Sequence, residues 1–200
     1  MIIIKHFINI CLERSDILDR RVKYTKNIIK STFLNLLKEK DIKKISVSEI
    51  CTIADINRAT FYRYYLDIYD LLDKIQENFI NELKDIFMDD LFTFDNITHR
   101  YLNACLKNKE LVRVLFNTYN NFYFLSEVFD IINERCFDKW NNIKNVKDSD
   151  IEECLIFIIN GSIGIINYWV KEDFKKDIDE VSNIIIKLSN ASVIKYIYKE

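Results

Sequence analysis

The chain has 200 residues and a net charge of −2, long enough to bury one or two sizeable cores. It has no proline and two glycines, Gly161 and Gly164. That scarcity of turn formers argues against β-rich and α/β folds and predicts an all-α chain of about nine helices. Five scattered cysteines, with no Cys-x-x-Cys or Cys/His cluster, and only His6 and His99 as histidines, leave no basis for a disulfide framework, a zinc site or a histidine-based catalytic constellation. The expectation is free thiols in a reducing cytosol, with no metal and no cofactor.

Charge is unevenly spread. Residues 1–66 carry 13 Lys+Arg against 7 Asp+Glu, and residues 67–200 carry 16 against 24. A basic end on an acidic body orients one part of the molecule toward a polyanion. The apolar start, Met1 to Leu12, is interrupted by Lys5 and His6 and lacks a small-residue cleavage site. It also falls far short of the roughly 20 apolar residues of a membrane span. No other segment is expected to cross a bilayer. Residues 1–19 read either as an extra helix or as an extension that is poorly ordered or non-native.

Arg20-Arg21-Val22-Lys23-Tyr24 is a basic lead-in, suited either to phosphates or to solvent. A helix is predicted over Thr25–Lys40, with Ile28, Ile29, Phe33, Leu36 and Leu37 at helical spacing. Lys43 and Lys44 fall in the following loop. Ser46 with Glu49 three residues on predicts a capping box at a second helix, whose apolar stripe is Val47, Ile50 and Ala54 with Ile53 at its edge. Asp55-Ile56-Asn57 breaks it; Ile56 fills the gap and Asn57 caps the next helix. That third helix places Phe61 and Tyr65 on its core side. Arg58, Ala59, Tyr62 and Arg63 lie off that stripe, with Thr60 and Tyr64 on its flanks. A basic, aromatic, hydroxyl-bearing surface with little acid suits phosphates and base edges. The pattern is a helix-turn-helix. Asp67 and Asp70 then cap a long helix to about Asp89.

A further stripe, Ile97, Tyr101, Leu102, Cys105 and Leu106, ends at Lys107-Asn108-Lys109, and helices are predicted over Glu110–Phe116 and Phe122–Trp140, with a loop at Asn141–Lys147. From Asp150 to about Val170 apolar residues point in nearly every direction. Such a helix is buried on more than one side, one against the core and one against a second subunit. With the final helix, Asp179–Tyr198, it predicts a four-helix dimer interface that includes Ile158, Gly161, Ile165, Trp169, Ile184 and Leu188.

The stretch from Ile45 to Leu72 resembles the DNA-binding domain of the tetracycline-repressor (TetR) family of bacterial regulators. It matches that pattern at Ile45, Val47, Ile50, Ala54, Thr60, Phe61, Tyr62, Tyr64, Leu71 and Leu72. Three positions depart from it. Asp55 stands where Gly is usual, Asn57 replaces Ser, and Ile68 stands where the family commonly has a phosphate-touching Lys. The resemblance implies that Thr60 and Tyr62 hold phosphates, that Arg58, Ala59 and Tyr64 face base edges, and that Lys43 and Lys44 sit near the DNA backbone. Thr25 and Ser46, expected at helix starts, would do the same, and Asn57 and Arg63 complete the surface. Family members usually begin near Leu18–Lys26, which favours the reading of residues 1–19 as an extension. The domains expected are 20–66 for DNA and 67–200 for effector binding and dimerisation.

The resemblance also implies a small-molecule pocket in the body. Phe79, Tyr101, Cys105, Phe116, Tyr119, Phe129 and Phe157 are candidate lining residues, each of which could equally be ordinary core. The expected protein is a cytoplasmic, non-enzymatic regulator, most simply a repressor. It would act as a homodimer on palindromic double-stranded DNA, with an unidentified small-molecule effector and no membrane. The alternatives are an adaptor or coactivator of the same fold that works through protein contacts, and a small helical enzyme, for which no paired-carboxylate or nucleophile motif is found.

Overall fold

The computed structural model describes residues 2–88, 93–117, 122–140 and 147–197; within them, residues 2–18, 117, 122–123 and 135–140 are described by their backbone alone. Among the described residues the chain is all-α. It forms α1 (Ile2–Glu39), a 3-10 turn (Ile42–Lys44), α2 (Val47–Ile53), α3 (Arg58–Tyr62), α4 (Ile68–Phe87), α5 (Phe94–Lys107), α6 (Lys109–Asn117), α7 (Phe122–Trp140), α8 (Asp148–Lys171) and α9 (Ile178–Tyr196). The contacts divide it into two compact units, one up to Ile75 and one from Gln76, and the division falls inside α4.

In the first unit α1 buries Ile29, Phe33 and Leu36 at helical spacing; Ile50, Cys51 and Ala54 from α2, Phe61 and Tyr65 around α3, and Ile68, Leu71 and Ile75 from α4 complete the core. The helix expected over Thr25–Lys40 is the C-terminal part of a longer one. Thr25 therefore does not start a helix: its Oγ1 donates back to the Arg21 carbonyl at 2.8 Å, the usual bond of a mid-helix threonine. Ile53, expected at the edge of the α2 stripe, is 58% exposed, because the stripe through Ile50 and Ala54 turns it outward.

The capping box is half formed. Ser46 Oγ accepts from the Glu49 amide at 3.2 Å, but the Glu49 carboxylate pairs with Lys40 and so ties the end of α1 to α2. The α2 terminus is a Schellman motif, with Ile56 N bonding Cys51 O (3.0 Å) and Asp55 N bonding Thr52 O (3.4 Å). Asp55 holds the left-handed position at φ 51. Asn57 Oδ1 accepts from Thr60 N at 2.7 Å and starts α3. Asp67 Oδ1 accepts from Tyr69 N and Asp70 N, and Asp70 Oδ2 reaches back to Leu66 N at 2.8 Å, a reciprocal cap for α4.

In the second unit α8 packs against α6, α7 and α9, and α5 packs against α6 and α9. Phe79 stacks on Phe124 with ring centroids 5.8 Å apart, and Ile151, Cys154, Leu155, Ile158, Ile159 and Ile197 form one buried cluster. The α8 terminus repeats the Schellman geometry: Phe174 N bonds Trp169 O at 2.9 Å and Asp173 N bonds Val170 O at 3.0 Å. Asp173 and Phe174 are both left-handed, and the Phe174 ring meets Trp169 edge-on at 4.8 Å. Arg113 of α6 pairs with Glu110 and Asp173 and lies over the Phe174 ring, which fastens this corner. Contrary to the sequence expectation, α8 is long and apolar enough to cross a membrane by length and composition. In the fold it buries Ile151, Cys154, Leu155, Ile158, Ile159, Ile166, Trp169 and Val170, while Ile156, Phe157, Gly161, Gly164 and Tyr168 stay exposed.

Cys51, Cys105 and Cys154 are free and buried. Desolvation pushes all three thiols up, Cys105 to about 12 even though Tyr101 donates to it. Iodoacetamide at pH 8 should therefore leave these three unmodified in the native protein and modify them in urea. Rapid labelling of Cys105 in native protein, read by peptide mass spectrometry, would refute its burial. The left-handed Asp55 gives a second test. Asp55→Val should cost about 1–2 kcal/mol in urea unfolding, because a β-branched side chain resists that conformation, whereas Asp55→Gly should be no less stable than the parent. Equal stabilities of the Val and Gly variants would contradict the turn geometry.

Candidate nucleic-acid interface

The candidate surface is built by α2, the turn after it and α3. Fully buried Phe61 and nearly buried Tyr65 anchor one side of α3, their rings 5.5 Å apart. The helical period then turns Arg58, Ala59, Tyr62 and Arg63 outward; all four are exposed, Tyr62 at 55%. Tyr62 stands edge-on to Phe61 at 5.7 Å, which limits its swing while leaving its hydroxyl in solvent. Thr60 and Tyr64 are half-buried on the flanks. Thr60 Oγ1 bonds Asn57 Oδ1 at 2.9 Å, and the Tyr64 ring carries Lys26 Nζ 5.5 Å from its centroid. Asn57 and Ser46 are exposed at helix starts, with their side-chain oxygens engaged as caps.

Arg58 does not reach freely into solvent. Its Nη2 donates to Ser48 Oγ at 2.7 Å, back across the turn to α2. Among the described residues no carboxylate pairs with Lys43, Lys44, Arg58 or Arg63. In the body, by contrast, Lys84, Lys107, Arg113, Lys175 and Lys176 are each paired with an acid. Cations without a carboxylate partner suit a polyanion, since no internal ion pair must break for them to engage it. Ile68, where the family commonly has a Lys, is buried. Lys74 does not replace that Lys: its Nζ is spent on Tyr64 O (3.1 Å) and Asp70 Oδ2 (2.8 Å). The Lys74 ammonium, with the Leu66 amide, holds the Asp70 carboxyl below the usual carboxylate range. The stability from this cap is full above that range and is lost as pH falls through the depressed value.

The predicted pocket residues scatter. A cavity of about 60 Å3 lies among α4, α5, α7, α8 and α9, lined by Phe87, Ile97, Thr98, Tyr101, Ser162 and Ile163 with their apolar neighbours and by no charged side chain. Among the described candidates only Tyr101 lines it. Phe79 and Cys105 are ordinary core, Phe129 packs on the Ile151 cluster, Phe116 is half-buried elsewhere, and Tyr119 lies outside the described residues. Phe157 is corrected outright: it is 65% exposed, because its neighbour Ile158 takes the inward direction. The candidate interface residues also divide. Ile158 and Trp169 are buried within the chain, and Trp169 Nε1 bonds Lys176 O at 2.8 Å. Gly161 is exposed, Ile165 and Ile184 are half-buried, and Leu188 is 57% exposed. Sequence reasoning missed Ser48 and Tyr168. Tyr168 recurs at helical spacing from Phe157, Gly161 and Gly164, a signal that was present but hidden by the apolar residues on every side.

A sequence profile described as "Transcriptional regulator C-terminal region", of the TetR type, matches residues 92–191, half of the chain. The HTH-type transcriptional regulator YxbF of Bacillus subtilis (strain 168) is 35% identical over 74 residues, 36% of this chain and 20% of that protein's length. The HTH-type dhaKLM operon transcriptional activator DhaS of Lactococcus lactis is 29% identical over 140 residues, 69% of this chain and 74% of that protein. Among solved structures, the dihydroxyacetone kinase operon activator DhaS superposes with a TM-score of 0.67 at 23% identity, covering 86% of this chain and 98% of that one. The C-terminal profile and the fold agree with the motif at the other end, and the chain belongs to the TetR family of transcriptional regulators.

Proposed function

We propose that the protein is a cytoplasmic repressor that binds a two-fold operator as a homodimer and is released by a small-molecule effector. The carrying observation is the outward face of α3, where Arg58, Ala59, Tyr62 and Arg63 are exposed; Lys43 and Lys44, exposed in the turn before α2, have no carboxylate partner among the described residues. Tyr62, Thr60, Lys43, Lys44 and Arg63 are assigned to phosphates, Arg58, Ala59 and Tyr64 to base edges, and Ser46 and Asn57 to shaping the surface. Residues 20–66 are proposed as the DNA-binding domain and 67–200 as the effector and dimer domain.

The dimer is argued from the outer side of α8 and α9. Phe157, Gly161, Tyr168 and Leu188 are exposed on these helices, and among the described residues nothing beyond α8's own adjacent backbone comes within 4 Å of a Cβ added at Gly161 or Gly164. Each glycine costs about 1 kcal/mol of helix propensity that no contact inside the subunit explains. Close approach of a second copy's backbone explains it. The effector is assigned to the uncharged cavity beside Tyr101. At about 60 Å3 it is well below the roughly 300–1,000 Å3 of drug-sized ligand sites. A ligand of that size enters only if the helices part, so its binding and a change of packing are linked. The backbone of α4 carries that change onward, because both units share it.

A second reading is favoured by buried Ile68, which removes one phosphate contact, and by the activator named among the relatives: an adaptor working through protein contacts. One experiment separates the two. The full chain is titrated against DNA upstream of its own gene and against random DNA at two salt concentrations, with transcription from that DNA measured alongside. Repression predicts specific binding, a log–log salt slope of about −0.9 per phosphate contact, and less transcript. More transcript would reverse the sign of regulation, and no DNA binding by the homodimer would favour the adaptor.

Two variants test the assignments. Tyr62→Ala should weaken binding to all DNA about equally, while Arg58→Ala should mainly reduce the preference for the operator, by about tenfold. Equal losses on operator and random DNA for both would reject these roles. Leu188→Lys should give monomers in sedimentation velocity at micromolar concentration and weaken operator binding about a hundredfold through loss of the linked second site. A persistent dimer would move the interface elsewhere.

A further inference from the structure

The Ser48–Arg58 bond joins the two helices of the reading unit at the side chain assigned to base edges. Arg58 is the first residue of α3, exposed, on a long stem that sweeps many directions in solvent. Here its Nη2 donates to Ser48 Oγ at 2.7 Å, and Ser48 is the second residue of α2. Ser48 is half-buried, and its own carbonyl accepts from Thr52 Oγ1 at 2.9 Å, so it is a fixed point. Among the described residues no carboxylate competes for the guanidinium. The bond occupies one N–H and leaves the remaining donors of the planar fork unspent, the arrangement needed to address two acceptors on one base.

We infer that Ser48 is a positioning residue for base selection: it holds the Arg58 guanidinium against α2 in the orientation that meets a base edge. The inference rests on the proposal that α3 reads DNA and adds a residue that lies outside α3 itself. Fixing a long side chain before binding reduces the ordering needed on contact, and that saving is realised only where Arg58 meets its matching base. On any other sequence Arg58 falls back on phosphate, where orientation matters little.

The test is a double-mutant cycle on the full chain, measured by fluorescence anisotropy on the operator, on its single-base-pair variants and on random DNA. Ser48→Ala should lower the preference for operator over a mismatched site about three- to tenfold while leaving random-DNA affinity within about twofold. The double variant Ser48→Ala/Arg58→Ala should match Arg58→Ala alone, because Ser48 acts through Arg58. Ser48→Thr, which keeps the acceptor, should restore the preference. Effects of Ser48→Ala and Arg58→Ala that simply multiply, or a uniform loss on all DNA, would overturn the inference. So would a sharper preference in Ser48→Ala, which would mean that the bond parks Arg58 away from DNA. These failures leave the DNA-binding proposal standing, whereas absence of operator binding by the unaltered chain would remove both.

Discussion

The burial of Phe61 determines what the rest of the first unit can do. At five residues α3 is far too short to persist on propensity, since an isolated helix needs about three times that length to be even marginal. Its position is set by one ring at zero exposure, one cap from Asn57 and the Schellman turn that precedes it. Once Phe61 is inward, the helical period leaves Arg58, Tyr62 and Arg63 no choice but water. The surface assigned to DNA is thus a by-product of a packing decision made on the opposite side of the helix. The Ser48–Arg58 bond then refines one side chain on a face already oriented.

Nearly glycine-free, the chain solves its turns another way. Two helices, α2 and α8, end in Schellman motifs whose left-handed residue is an aspartate, Asp55 and Asp173. Aspartate tolerates that conformation better than most residues, and at Asp173 the added ion pair with Arg113 contributes to holding it. Phe174 beside it is a harder case, a large residue in the same region. Its ring is gripped between Trp169 and the Arg113 guanidinium, so the surrounding contacts over-determine a conformation it would not choose alone. The two glycines that do exist sit inside α8, where no turn needs them.

This explains what was legible in the sequence. The reading unit was, because its signals are local: a cap oxygen three residues before an amide, a stripe at helical period, a break of three residues. Helix limits in the body were equally readable, Phe122–Trp140 to the residue. Direction was not. Ile158 and Phe157 are neighbours in an all-apolar run, and only packing of α8 against α6, α7 and α9 decides that the first faces in and the second out. The cavity lining failed for the same reason: aromatic character does not say which ring borders a gap and which fills one, as Phe79 stacked on Phe124 illustrates. Glu49 failed in a different way. Two partners were available, the α2 amide and Lys40, and a charged partner brought close by tertiary structure won over the local bond.

The same contest between local and distant partners sorts the charges. In the body, acids outnumber bases, and Lys84, Lys107, Arg113, Lys175 and Lys176 each find a carboxylate within reach. Up to residue 66 bases outnumber acids, and of the seven acids there Asp41 is engaged by the Lys43 amide and Glu49 by Lys40. Among the described residues Lys43, Lys44, Arg58 and Arg63 are left without a carboxylate partner. An unpaired cation costs a soluble protein little while it is hydrated, but it is held ready for a multivalent anion, to which the acidic body offers only repulsion. Composition by segment, rather than the net charge of −2, therefore carries the information about the partner.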